Sequence, residues 1–155
     1  HGLSAATGMT FTQAKQFIDQ YFTLRAPIRQ YIDATLEKAR VEGYVETYFG
    51  RRRPTPDIKS SNFMVRQSAE RAAANMPIQG TEADLMKRAM IVVDQMLSNR
   101  ADQLLQIHDS ILVECNESDA EDIANQMRDI MENIAPELPI KLRVDVSVGD
   151  NWGEA

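Results

Sequence analysis

One cysteine and two histidines are all that the sequence offers as soft or imidazole ligands. Cys115 alone excludes an internal disulfide, and its place in an apolar run marks it as buried rather than nucleophilic. A lone thiol fits a reducing compartment. His1 and His108 stand far apart, so neither a tetrahedral zinc set nor a Ser-His-Asp triad can be drawn. No Gly-x-x-x-x-Gly-Lys loop is present to cradle phosphates. No apolar run reaches the roughly 18 residues that a membrane-spanning helix needs, so no membrane partner is expected. The opening residues, His-Gly-Leu-Ser-Ala-Ala-Thr-Gly, lack a starting Met and the basic-then-apolar layout of a signal peptide. The chain is therefore expected to be a piece of something longer. Cations are outnumbered too: the net charge of -6 argues against a polyanionic partner. That charge is uneven, however. Residues 51–71 carry Arg51, Arg52, Arg53, Lys59, Arg66 and Arg71 against Asp57 and Glu70, whereas residues 114–137 are acidic with Arg128 as the single base.

What is present suits one folded domain. A chain of 155 residues with 43% hydrophobic and 26% charged residues can bury a core. Residues 1–9 show no period. Thr10 can cap a helix to Phe22, with Gln13 completing a capping box and Phe11, Ala14, Ile18, Tyr21 and Phe22 on one face. Pro27 opens a second helix, with Ile28, Tyr31, Ile32, Leu36 and Ala39 as its stripe, which stops at Gly43. Tyr44–Phe49 reads as a short strand and 50–56 as a loop. A helix from Ser60 or Ser61 to Asn75 is ended or kinked by Pro77. Thr81 then caps another helix to Ser98, with Met86, Ala89, Met90, Val93 and Leu97 inward. Ser118 with Glu121 gives a second capping box, before Ile123, Met127, Ile130, Met131 and Ile134 at helical spacing. Ile140, Leu142, Val144, Val146 and Val148 alternate with polar residues as a half-buried strand. This order predicts an α+β domain with a small antiparallel sheet.

Two stretches carry candidate chemistry. In Leu104–Cys115, the runs Leu104–Ile107 and Ile111–Val113 flank His108-Asp109-Ser110, which predicts a hairpin with the triplet at its tip. A carboxylate fixed at a sheet rim can hold a metal ion. On this stretch alone, a plain turn residue is the favoured reading of Asp109. The second stretch, Arg66–Gly80, is not explained by hydrophobic period. Arg71, Asn75 and Gln79 recur every four residues, a spacing that aligns side chains on a helix, although Pro77 interrupts the last step. Cations and amides so aligned can bond phosphates, sugars and minor-groove acceptors, and a solvated helix face is the competing reading. The fork Arg51-Arg52-Arg53 can hold backbone phosphate or be a basic turn without a ligand. Lys87 and Arg88 read as solvated, or as an extension of the basic surface.

Several words of the sequence together resemble the C-terminal part of the family A DNA polymerases, the DNA polymerase I family. They are Gly2–Ala5, Gly43–Thr47, Gly50–Arg53, Pro56–Asn62, Ala69–Thr81, Ala83-Asp84, Lys87–Met90, Gln106–Asp109 and Val144–Gly149 with Asn151-Trp152. Each is weak alone; in order, across nearly the whole chain, they are specific. The resemblance implies residues 1–40 as the end of a fingers subdomain and residues 41–155 as palm. It implies Asp109 as one of two aspartates that hold catalytic Mg2+, with His108 near the primer terminus. It further implies Arg71, Asn75 and Gln79 on duplex DNA and His1 beside the incoming nucleotide, while Arg66, Arg51 and Arg52 are read from their charge as further DNA contacts. The implied partners are primer-template DNA, deoxynucleoside triphosphates and the N-terminal part of the same polymerase, in the bacterial cytoplasm at the nucleoid.

The chain departs from the family pattern in three ways. Ser110 stands where the family usually has Glu, and His1 where it usually has Tyr. The strand with the other catalytic aspartate and the fingers helix that grips the triphosphate lie upstream of these residues in the family. The expectation is thus a polymerase parent and a fragment inactive alone. The rivals are a duplex-binding subdomain without chemistry, and an inert excised fold with exposed faces.

Overall fold

The computed structural model describes residues 2–154. In order it contains α1 (Gly2–Thr7), α2 (Phe11–Leu24), α3 (Ala26–Glu42), β1 (Tyr44–Glu46), β2 (Arg52–Pro54), α4 (Phe63–Leu97), β3 (Ala101–Ile107), β4 (Ser110–Cys115) and α5 (Ala120–Glu132). Short 3-10 turns at Pro56–Lys59 and Glu117–Asp119 precede α4 and α5. Helices with two small antiparallel sheets make the fold α+β, as expected. Two compact units divide the described residues: those up to Glu46 with Arg52–Pro77, and Thr47–Arg51 with those from Ile78 on.

In the first unit the helix signals act as written. Gln13 donates its backbone N–H to Thr10 Oγ1 (3.3 Å), and Thr10 N–H reaches Gln13 Oε1 (2.9 Å), which closes the capping box of α2. Gly43 ends α3 in the left-handed region at φ 79°, where a Cβ would be strained, and its N–H bonds Ala39 O at 3.0 Å. The core gathers Ala39, Val45, Ile58, Ala73 and Met76. Leu36 and Ala69 pack against it. The stripe of α2 is not part of that core. Ala14 is its one buried residue, while Phe11, Phe17, Ile18, Tyr21 and Leu24 are exposed. Ile28 and Tyr31 of α3 are exposed as well.

Several boundaries differ from the sequence expectation. Residues 1–9 are not featureless: α1 forms around Ala5 and Ala6, and Gly8 ends it at φ 72°. The strand expected over Tyr44–Phe49 stops at Glu46, and part of the expected loop becomes β2, with Val45 opposite Arg53. The helices expected on either side of Pro77 are one helix, α4. A proline in a helix interior removes one backbone hydrogen bond and can bend a helix without ending it. Asn62 starts α4, its Oδ1 accepting from Met64 N–H (3.0 Å) and Val65 N–H (3.3 Å). Thr81 is therefore not a cap.

The second unit has its own core: Val93, Leu97, Ala101, Ile123 and Met127, with Ile111, Val113, Cys115 and Ile130 against it. Burial of each large side chain there contributes about 1.5–3 kcal/mol. β3 and β4 pair antiparallel from Ala101↔Cys115 to Ile107↔Ser110, with an irregularity between Gln103 and Leu105. The expected Ser118–Glu121 box does not form; α5 has no side-chain cap. The acids at this entry are drawn instead to Arg100, whose Nη2 lies 2.7 Å from Asp122 and 3.7 Å from Asp119. The strand expected over Ile140–Val148 is also not formed. Leu142, Val144 and Val146 are half-buried and their neighbours exposed, so the alternation holds while no ladder does. Val144 N–H bonds the Glu132 carboxylate at 3.1 Å instead of a strand.

Candidate nucleic-acid and metal-binding residues

The hairpin tip follows from the two strands. Their last pair is Ile107↔Ser110, which leaves His108 and Asp109 as a two-residue loop. His108 takes a positive φ of 52°, an uncommon state for a non-glycine residue that tight hairpin loops demand. Its carbonyl accepts from the Gln106 amide. Ser110 donates its hydroxyl to Ile107 O at 2.9 Å, across the mouth of the loop. Asp109 is exposed, and its carboxylate meets no hydrogen bond or ion pair among the described residues. Among those residues no group of three or more His, Cys, Asp or Glu could hold a metal ion. Asp109 is thus a single exposed carboxylate on a two-residue loop.

Arg66, Arg71 and Asn75 lie on the first part of α4. Arg66 is half-buried; it donates to Ser60 O at 2.7 Å and lies 5.8 Å from the Phe63 ring centre. Arg71 is exposed and bonds Gln67 Oε1 at 3.0 Å, one helical turn away. Asn75 is exposed on the same part of the helix, and Gln79 is exposed at the start of the second part. His1 lies outside the described residues.

The three arginines of the basic turn have separate fates. Arg52 stacks on Tyr44, 4.3 Å from the ring centre, with Glu46 3.6 Å from its Nε. Glu46 also takes Lys38, which holds its carboxyl below the usual range. Arg53 makes no ion pair among the described residues. Arg51 bonds Asp84 Oδ1 through Nε at 2.5 Å. Asp84 is buried, and its other oxygen accepts from the Thr47 hydroxyl at 2.8 Å. Arg51 N–H returns to Thr47 Oγ1 at 3.1 Å, and Tyr48 N–H bonds Thr81 Oγ1 at 2.8 Å. Burial pushes the Asp84 carboxyl up; the bonds from Arg51 and Thr47 outweigh it and hold the group below its ordinary value. The sequence names Asp84 only as part of a family word. No local signal in the sequence announces this lock, whose partners Arg51 and Thr47 lie 33 and 37 positions away.

The comparisons with known proteins agree with one another. The model for DNA polymerase family A matches residues 1–154. The thermostable DNA polymerase I of Thermus filiformis is 46% identical over 156 residues, covering 100% of this chain and 19% of that protein. DNA polymerase I of Deinococcus radiodurans is 44% identical over 153 residues, covering 98% of this chain and 16% of that protein. The POL domain of Pol1 from M. smegmatis, solved in complex with DNA primer-template and dNTP, superposes with a TM-score of 0.92 at 40% identity. That match covers 100% of this chain and 28% of the other. The chain thus spans about a fifth or less of the curated relatives it matches.

Proposed function

This chain belongs to DNA polymerase family A, and we propose that it is part of a DNA-templated DNA polymerase that extends a primer 3′ end. The observation that carries the proposal is Asp109: an exposed carboxylate without a partner among the described residues, at the tip of a hairpin, in a chain of this family. Its chemistry fits Mg2+, a hard ion that takes oxygen ligands. Bound there, Mg2+ would supply charge neutralisation and activation of oxygen in a phosphoryl transfer with two metal ions. Asp109 would hold the ion from one side. Its remaining ligands, a second aspartate among them, would come from outside these 155 residues. For that reason the chain alone is expected to be inactive.

The other roles follow the same proposal. His108, beside Asp109 in the loop, faces the primer terminus. Arg71, Asn75 and Gln79 contact duplex DNA, their exposure supporting this, with Arg66 and Arg52 as further contacts. Arg51 takes phosphate through the end of its guanidinium, and His1 lies beside the incoming deoxynucleoside triphosphate. Residues 1–40 belong to fingers and 41–155 to palm, in a cytoplasmic, nucleoid-associated protein. The exposed apolar residues of α2 and α3 support the N-terminal part of the same polymerase as a partner. Joined to that part, the chain should extend a primer, and Asp109→Asn should lower extension at least about a thousandfold while leaving duplex affinity unchanged. Undiminished extension by the Asn variant contradicts the role of Asp109. If the chain instead only grips duplex, no reconstitution yields extension, and binding is salt-dependent and reduced by Arg71→Ala.

A further inference from the structure

The lock around Asp84 leaves a cleft of about 550 Å³ beside it, lined by Phe49, Gly50, Arg51, Asp84, Lys87 and Arg88, with Ile91 at its edge. Three cations and one carboxylate line it. Arg51 spends only Nε on Asp84; its two terminal nitrogens bond nothing among the described residues, and the side chain is 59% exposed. Arg88 is laid flat on Phe49, 3.7 Å from the ring centre, and anchored by Glu137 at 2.8 Å. Lys87, one turn past Asp84, is exposed and makes no hydrogen bond or ion pair among the described residues. Two guanidiniums are thus held in fixed positions and an ammonium is left over. A guanidinium with free terminal nitrogens beside an unpaired ammonium offers donors to an anion with several oxygens, such as a phosphate.

We propose that this cleft binds a phosphate group, with Arg51 and Lys87 as its ligands and Asp84 as the residue that positions Arg51. The proposal rests on the nucleic-acid function above for the source of that phosphate, a strand backbone, whose chemistry it shares with free pyrophosphate. The cleft shares no lining residue with the hairpin tip or with the stretch that carries Arg71 and Asn75. Asp84 takes Arg51 through Nε alone and the Thr47 hydroxyl through its other oxygen, which leaves the terminal nitrogens of Arg51 for the ligand. Its task is to keep the guanidinium turned outward at no cost when the anion arrives.

The test uses the 155-residue chain, a short labelled oligodeoxythymidylate followed by fluorescence anisotropy, and inorganic pyrophosphate followed by calorimetry. Lys87→Ala should weaken oligonucleotide binding about tenfold at low salt and reduce the salt slope by about 0.7, the contribution of one phosphate contact to a single strand. Lys141→Ala, an exposed lysine of the same unit outside the cleft, should change neither. Equal losses in the two variants mean general attraction and overturn the site. A loss in Arg71→Ala with none in Lys87→Ala overturns the cleft and leaves the nucleic-acid function standing. Absence of any oligonucleotide binding at low salt contradicts both, unless pyrophosphate binds and Lys87→Ala abolishes it. That result keeps the phosphate site and assigns it to the free anion.

Discussion

The hairpin Ala101–Cys115 and the segment 140–148 contrast more sharply than their sequences do. The segment has the stricter alternation, yet it forms no ladder; the hairpin, with an irregular middle, pairs from end to end. The difference lies in where each finds a partner. The two arms of the hairpin are joined by two residues and meet at little entropic cost. The segment 140–148 pairs with no strand among the described residues, so its alternation shows only as half-buried Leu142, Val144 and Val146. Period therefore specifies a face, and proximity specifies pairing. Asp109 profits from this, because a carboxylate on a self-closed hairpin is held by neighbours in sequence.

The largest expected effect on this contrast is in the seat of the hairpin. Leu97→Ala should destabilise the second unit by about 2–5 kcal/mol in urea unfolding, because Leu97 is fully buried. Val144→Ala, at a half-buried position without a ladder, should cost less than about 1 kcal/mol. Equal costs would mean that 140–148 is as well packed as the hairpin. Acid should act next. The Asp84 carboxyl is held below its ordinary value, so its contribution is complete above the unfolded pKa of about 3.9 and is lost as pH falls through the lower folded value. Unfolding followed by pH should show this acid step in the native chain and not in Asp84→Asn. Hydrogen exchange should then separate the two stretches directly. Ladder amides of β3 and β4 should be protected, and those of 140–148 should exchange freely except Val144, whose protection Glu132→Ala removes. The smallest effect belongs to Ser110→Ala, which removes the bond to Ile107 O and should cost about 0.5–1.5 kcal/mol or less at this exposed tip.

Much of this arrangement was legible in the residues. Thr10 with Gln13, Pro27, Gly43 and the polar triplet of the hairpin are local signals, satisfied within a few positions, and each acts where expected. The failures involve choices among competing partners. Pro77 reads as a break because a proline removes a bond, but one lost bond does not end α4, which runs on to Leu97. Ser118 and Glu121 match a capping box, but Arg100 engages the neighbouring acids across β3 and β4 in sequence. The basic turn is the instructive case for the candidate site. Three adjacent arginines look alike in the sequence, while Asp84 and Tyr44 give Arg51 and Arg52 different company. Nothing local announces those partners. Ser110 is legible only as a departure from the family; the structure gives its hydroxyl a backbone acceptor, a bond that a glutamate carboxylate could not donate.

The most direct test of Asp109 as a metal ligand is a change of metal preference in the chain joined to the N-terminal part of the polymerase. Asp109→Cys replaces the hard oxygen with a soft sulfur. The account predicts that primer extension by this variant is lost with Mg2+ and partly restored by Mn2+ or Cd2+, with DNA affinity unchanged. Extension with Mg2+ that matches the unsubstituted protein would contradict it.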